Sequence, residues 1–84
     1  MAVRVRLFAR ARETAGAGEL RFDADDVPRL GALRSRLGTD LGADFAAVLA
    51  TSRLWINGDE PDQGDETVLH DDDEVAVLPP VSGG

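Results

Sequence analysis

Gly83 and Gly84 are the residues with the clearest chemical use. They close the run Leu78-Pro79-Pro80-Val81-Ser82-Gly83-Gly84. Read as a C-terminus, this run carries an α-carboxylate on an arm with no Cβ on either of its last two residues. Such an arm enters channels too narrow for a side chain and adopts φ/ψ values closed to other residues. An α-carboxyl titrates at about 3.3–3.7, so it is ionised at neutral pH. The carboxylate can attack the α-phosphate of ATP. The acyl adenylate so formed is a good acyl donor, and a sulfur donor converts it to a thiocarboxylate. Gly84 is therefore the expected reacting residue, with Gly83 giving clearance. Pro79 and Pro80 lack an N–H, cannot extend a sheet ladder and stiffen the exit. Residues 79–84, fully extended, reach roughly 20 Å, with Val81 available for an apolar pocket on the way. The plain alternative is an inert end, since small polar residues are common at termini.

Other candidate chemistry is thin. His70-Asp71-Asp72-Asp73-Glu74 is acidic, but consecutive carboxylates in a tight turn do not converge on one ion, and calcium-loop spacing is absent. A solvated turn is the expected reading. His70 is the single histidine and has no serine or cysteine constellation beside it. No phosphate-binding glycine loop, nucleophile elbow or paired-carboxylate arrangement is visible. No metal ligand set is expected, and the chain by itself offers no active site.

Composition narrows the partners. The 84 residues suit one domain, whose core must be economical because so short a chain buries only roughly 60% of its unfolded surface. Cysteine is absent, which excludes disulfides, zinc–thiolate sites and thiol nucleophiles, so any sulfur handled here comes from outside. Sixteen acidic residues against nine arginines leave a net charge of −7. That balance argues against nucleic acid and against anionic membranes, and suits a partner with a basic patch. Lysine is also absent, so the chain has no internal side-chain amine to which another carboxyl end could be linked. No apolar run approaches the ~20 residues of a transmembrane helix, and no signal-peptide pattern opens the chain; the expected location is the cytoplasm.

The elements that must position the arm follow from periodicity. Val3-Arg4-Val5-Arg6-Leu7 alternates and predicts a half-buried strand. Helix formers from Ala9 to Ala15 stop at Gly16, and Leu20-Arg21-Phe22 alternates again. This span is too short for a full βαβ crossover, so a hairpin with a wide, partly helical connection is expected. Asp25 and Asp26 suggest N-caps for a main helix with Pro28 in its first turn, apolar positions at Val27, Leu30, Leu33 and Leu37, and a stop at Gly38. Gly31 inside it suggests a close contact. Leu41, Phe45, Val48 and Leu49 predict a second, short helix. Arg53 to Asn57 reads as a strand ended by the Asn57-Gly58 turn, followed by a loop over 59–66. Thr67-Val68-Leu69 suggests a short edge strand, Asp71–Asp73 a turn, and Glu74 to Leu78 a central strand. Trp55 and the phenylalanines are assigned to the core, with partial exposure at an interface as the alternative for Trp55. The order predicts an α+β roll of the β-grasp kind: a mixed sheet of four to five strands with one main helix across it, over residues 1–78, and a reactive arm over 79–84.

Three stretches resemble the small-subunit family of molybdopterin synthase. These are Val5-Arg6-Leu7-Phe8-Ala9-Arg10-Ala11-Arg12-Glu13, Leu69-His70-Asp71-Asp72-Asp73-Glu74-Val75-Ala76, and the tail from Leu78 to Gly84. Asp72 stands where that family usually has glycine. The resemblance implies a ubiquitin-like β-grasp sulfur carrier, itself non-catalytic, whose catalytic residues lie on a large subunit. It further implies that an E1-like adenylyltransferase activates Gly84 with ATP, that a sulfur donor protein supplies a thiocarboxylate, and that sulfur passes to cyclic pyranopterin monophosphate. Pro79, Pro80, Val81, Ser82 and Gly83 would seat the arm in its partners. Carriers for thiamine thiazole or cysteine synthesis, a protein modifier, and an inert β-grasp binding module are the competing readings.

Overall fold

The computed structural model describes residues 2–80, so Val81, Ser82, Gly83 and Gly84 lie outside the described residues. Four strands and three helices run in the order β1 (Ala2–Leu7), α1 (Ala9–Ala15), β2 (Glu19–Asp23), α2 (Leu30–Leu41), α3 (Ala43–Thr51), β3 (Arg53–Ile56) and β4 (Glu74–Leu78), with a 3-10 turn at Gly64–Glu66. The sheet order is β2-β1-β4-β3. β1 and β2 form the expected antiparallel hairpin, from Ala2↔Asp23 to Arg6↔Glu19, with α1 in its connection. β1 and β4 are parallel, Arg4↔Glu74 to Leu7↔Val77, and β3 runs antiparallel to β4. This mixed sheet with helices on one face is a ubiquitin-like β-grasp fold.

Period-two alternation decides which face is covered. Val3, Val5, Leu7, Val75, Val77 and Leu54 point inward and are buried. They meet Leu30, Leu33 and Leu37 of α2 and Phe45 and Leu49 of α3 in one core. The outer face carries Arg4, Arg6, Glu74, Ala76, Leu78, Arg53 and Trp55, by the same alternation.

Several expectations are corrected. Asp25 and Asp26 do not cap α2, and Pro28 is not in its first turn. The Asp23 carboxylate instead accepts the Asp25 N–H (3.0 Å) and its carbonyl accepts the Asp26 N–H (2.9 Å), which closes a turn. The chain then stays extended through Pro28 and Arg29. Leu30 N–H donates to the Thr67 carbonyl (2.9 Å) and Leu69 N–H to the Pro28 carbonyl (3.0 Å), so backbone from a distant loop satisfies the helix start. The expected strand at Thr67–Leu69 shrinks to that pairing, a single Arg29↔Val68 bridge. Gly38 does not end α2. It lies within the helix, and Gly42 with φ +91° makes the break before α3. Of the aromatic residues only Phe45 is fully buried. Phe22 is half-buried under the Arg36 guanidinium, 5.5 Å from its ring centre, Trp55 is half-buried on the outer face, and Phe8 is 40% exposed.

The turn readings stand. Asn57 and Gly58 both have positive φ (+52° and +87°), the conformation of a two-residue hairpin turn, and Ile56 and Asp59 exchange backbone hydrogen bonds of 2.8 and 3.0 Å across it. Asp72 has φ +69°, the left-handed geometry that a short polar side chain tolerates.

Candidate functional site

The last described strand is a central one and ends two residues before Pro80. β4 is hydrogen-bonded on both sides and stops at Leu78, and Pro79 and Pro80 follow at the rim of the sheet. A proline at either position removes the donor a further ladder step needs, so pairing ends there. Pro79 is half-buried and Pro80 exposed. Both line an open cavity of about 440 Å³ between α1 and α3, shared with Arg10, Thr14, Asp44 and Val48. The Thr14 hydroxyl donates to the Arg10 carbonyl at 2.8 Å, which ties it to its own helix. No polar or charged side chain among the described residues is buried in the fold. The cavity thus lacks the desolvated polar groups that fix a small ligand, and nothing in it pairs a nucleophile with a base.

Near the end of β4 the outer sheet face carries an apolar patch among its arginines. Leu78 is the Cα partner of Arg53, and Ala76 is the partner of both Trp55 and Arg6. Phe8, one step beyond the Leu7↔Val77 pair, extends the patch toward α1. Phe8 and Val68 are the exposed large hydrophobic residues among those described. Arginines frame the patch: the Arg6 guanidinium lies 5.9 Å from the Phe8 ring centre, and Arg4 and Arg6 approach Glu74 at 3.8 and 3.9 Å. These pairs are largely exposed and contribute little to stability. A chain of net charge −7 therefore turns an apolar, arginine-framed surface outward beside its exit strand.

The core assignment of Trp55 and Phe8 is thus corrected: Trp55 takes the alternative of partial exposure, and Phe8 is exposed. A signal for it lies in the phase of the strands: Trp55 and Leu78 alternate with the inward Leu54 and Val77, and one strand cannot bury both sets on one face.

The acidic run serves the fold. Asp73 accepts the Asn57 amide (2.9 Å) with one carboxylate oxygen and the His70 N–H (2.8 Å) with the other, while His70, Asp71 and Asp72 are exposed. Among the described residues, no three acidic or histidine side chains converge to hold a metal ion. None of the helices described is long and apolar enough to cross a membrane. Of the residues assigned to the arm, Pro79 and Pro80 directly follow β4; Val81, Ser82, Gly83 and Gly84 are not among the described residues.

A mixed four-stranded sheet with helices packed on one face defines a ubiquitin-like β-grasp domain, with two prolines directly after its central strand and an apolar patch beside them. Comparison with known proteins agrees with this class. The ThiS family model matches residues 5–84, and the chain belongs to that family. It is 36% identical over 84 residues to the molybdopterin synthase sulfur carrier subunit of Chlamydomonas reinhardtii, covering 100% of both chains. Among solved structures it resembles small archaeal modifier protein 1 from Methanosarcina acetivorans, at 31% identity and a TM-score of 0.82, over 99% of this chain and 96% of that one. It also resembles a chain of the complex of subunits 1 and 2 of molybdopterin-converting factor from Helicobacter pylori, at 26% identity and a TM-score of 0.71, over 100% of each.

Proposed function

We propose that this chain is the sulfur carrier subunit of a molybdopterin synthase. The observation that carries the reading is the full-length match to the Chlamydomonas carrier subunit, joined to a Pro-Pro exit that leads straight into Val81-Ser82-Gly83-Gly84. An E1-like adenylyltransferase uses ATP to adenylate the Gly84 carboxylate. A sulfur donor protein then displaces AMP and leaves a thiocarboxylate, and sulfur passes to cyclic pyranopterin monophosphate in the active site of the large subunit. Glycine at 83 and 84 keeps both the attack on ATP and the sulfur transfer sterically open. The body's share is presentation. The Phe8–Trp55–Leu78 surface docks on the large subunit, and six residues from Pro79 to Gly84 can reach at most roughly 20 Å. The complex of two converting-factor subunits from Helicobacter pylori supports such a pairing. The cytoplasm, where ATP is available, is the proposed setting.

Intact mass after incubation with the activating enzyme, ATP and a sulfur donor tests this. An oxygen-to-sulfur exchange confined to the terminal residue is expected; an unchanged mass refutes the carrier role. Adding the large subunit and cyclic pyranopterin monophosphate separates this pathway from carriers for thiamine thiazole or cysteine synthesis. A second reading, a protein modifier, draws on the likeness to the archaeal modifier protein. It requires ATP-dependent amide adducts on lysines of other proteins, which the same mass measurement in extract would reveal.

A further inference from the structure

All nine basic residues of this chain are arginines, and their placement around the exit of the arm has a chemical consequence. Arg10 shares the α1–α3 cavity with Pro79 and Pro80, and it forms no ion pair among the described residues. Arg53 is the Cα partner of Leu78, with its guanidinium exposed and 3.8 Å from Glu60. Both cations therefore sit at the root of the arm, within its roughly 20 Å reach. The parallel pairing of β1 with β4 sends the N-terminal end of β1 the other way. Ala2 lies at the end of the sheet opposite Leu78, about 16 Å back along the strand from Leu7. An antiparallel β1 would have brought the chain's amino end beside the arm.

We propose that Arg10 and Arg53 set the chemoselectivity of the activated terminus, by placing positive charge and no amine at the root of the arm. The proposal rests on the carboxyl activation described above. An activated Gly84 acyl group is open to any neutral amine nearby. The amine lone pair attacks the carbonyl carbon and a C–N bond forms. The C–O bond to AMP, or the C–S bond of a thioester, breaks, with the leaving group taking the electron pair and the amine proton passing to solvent. The product is an amide-closed loop, and the carrier can no longer be loaded. A short flexible tether gives groups within its reach an effective concentration of about millimolar. A guanidinium holds its proton far more tightly than a lysine ammonium, so the neutral, nucleophilic fraction of arginine is smaller by about a hundredfold or more. Guanidinium groups thus keep the basic charge at the exit while the acyl group waits for its partner.

The test prepares the full chain as a C-terminal α-thioester, released from an intein fusion by a thiol, so that no partner enzyme is needed. Wild type, Arg10→Lys, Arg53→Lys and Asp71→Lys are held at pH 8 and followed by intact mass, tandem mass spectrometry and circular dichroism. Asp71 lies in the turn bonded to β1 at Ala2, at the far end of the sheet. The Arg10→Lys and Arg53→Lys chains are expected to lose the thiol and form an amide to Gly84 at least about tenfold faster than the Asp71→Lys chain, while the wild-type thioester is lost only by slow hydrolysis. If the Arg10→Lys and Arg53→Lys thioesters last as long as wild type, or close no faster than that of Asp71→Lys, the proposal fails, and the arginine content is compositional bias alone. Because the thioester is made chemically, this outcome is independent of whether native enzymes load sulfur onto the chain.

Discussion

The Asn57 side-chain amide donates to the Asp73 carboxylate at 2.9 Å, joining the turn after β3 to the turn before β4 across 16 residues. The Asn57 Oδ1 also accepts the Glu74 N–H at 2.9 Å, and its own N–H donates to the Glu74 carbonyl at 2.8 Å. One residue thus supplies left-handed turn geometry and the lateral clamp that starts the exit strand. Asn57→Gly keeps the positive φ and loses the two side-chain bonds; Asn57→Ala loses both features. Urea denaturation is expected to rank them wild type, Gly, Ala, with the alanine variant destabilised by about 1–2 kcal/mol. Equal stability of all three would show that the clamp is unimportant.

Gly31 and Gly38 share α2 but meet different surroundings. A Cβ at 31 would stand 3.1 Å from the Asp65 Cβ and 3.2 Å from its carbonyl oxygen, whereas at 38 the nearest atom is the Ala46 Cβ at 4.0 Å. Asp65 is held in the 3-10 turn, with Arg34 3.1 Å from its carboxylate, and has little room to retreat. Gly38→Ala is expected to stabilise by about 0.5–1 kcal/mol through helix propensity. Gly31→Ala is expected to lose that gain and destabilise by about 1 kcal/mol, because overpacking forces backbone to move. Thermal melts of the two variants check the opposite signs.

Trp55 and Leu54 are neighbours in sequence on opposite faces of β3. Leu54→Ala removes a buried side chain and should cost about 2–5 kcal/mol of stability. Trp55→Ala should cost much less stability and weaken binding to the large subunit at least about tenfold, as expected for an aromatic anchor at a docking face. Calorimetric titration with the large subunit, alongside denaturant melts, separates the two effects. A Trp55→Ala chain that binds normally would move the docking surface elsewhere.

Deleting Gly84 should abolish sulfur loading while leaving the melting temperature and circular dichroism unchanged, because every strand, helix and core residue described lies at or before Leu78. Residual loading of the truncated chain, measured by intact mass, would count against a terminal reacting carboxyl.

Much of this protein is legible in sequence because its signals are local. Alternation at Val3-Arg4-Val5-Arg6-Leu7, the Asn57-Gly58 turn and the prolines after Leu78 each act within a few residues, through pleat geometry, allowed φ and missing donors. The composition, Gly83-Gly84 and the lack of lysine likewise need no coordinates to read. Long-range contacts decided the rest. The start of α2 is set by the Thr67 carbonyl, 37 residues from Leu30, and no propensity at Asp25 or Asp26 could outweigh that bond together with the burial of Val27. Gly38 stays helical, and the break comes at Gly42, where φ +91° turns the chain into α3 packed beside α2. Only strand pairing could show that Trp55, Leu78 and Phe8 form one surface, or that the amino end of β1 lies away from the arm. Which side chains adjoin across a sheet depends on strand order and direction, and those are properties of the whole chain's packing.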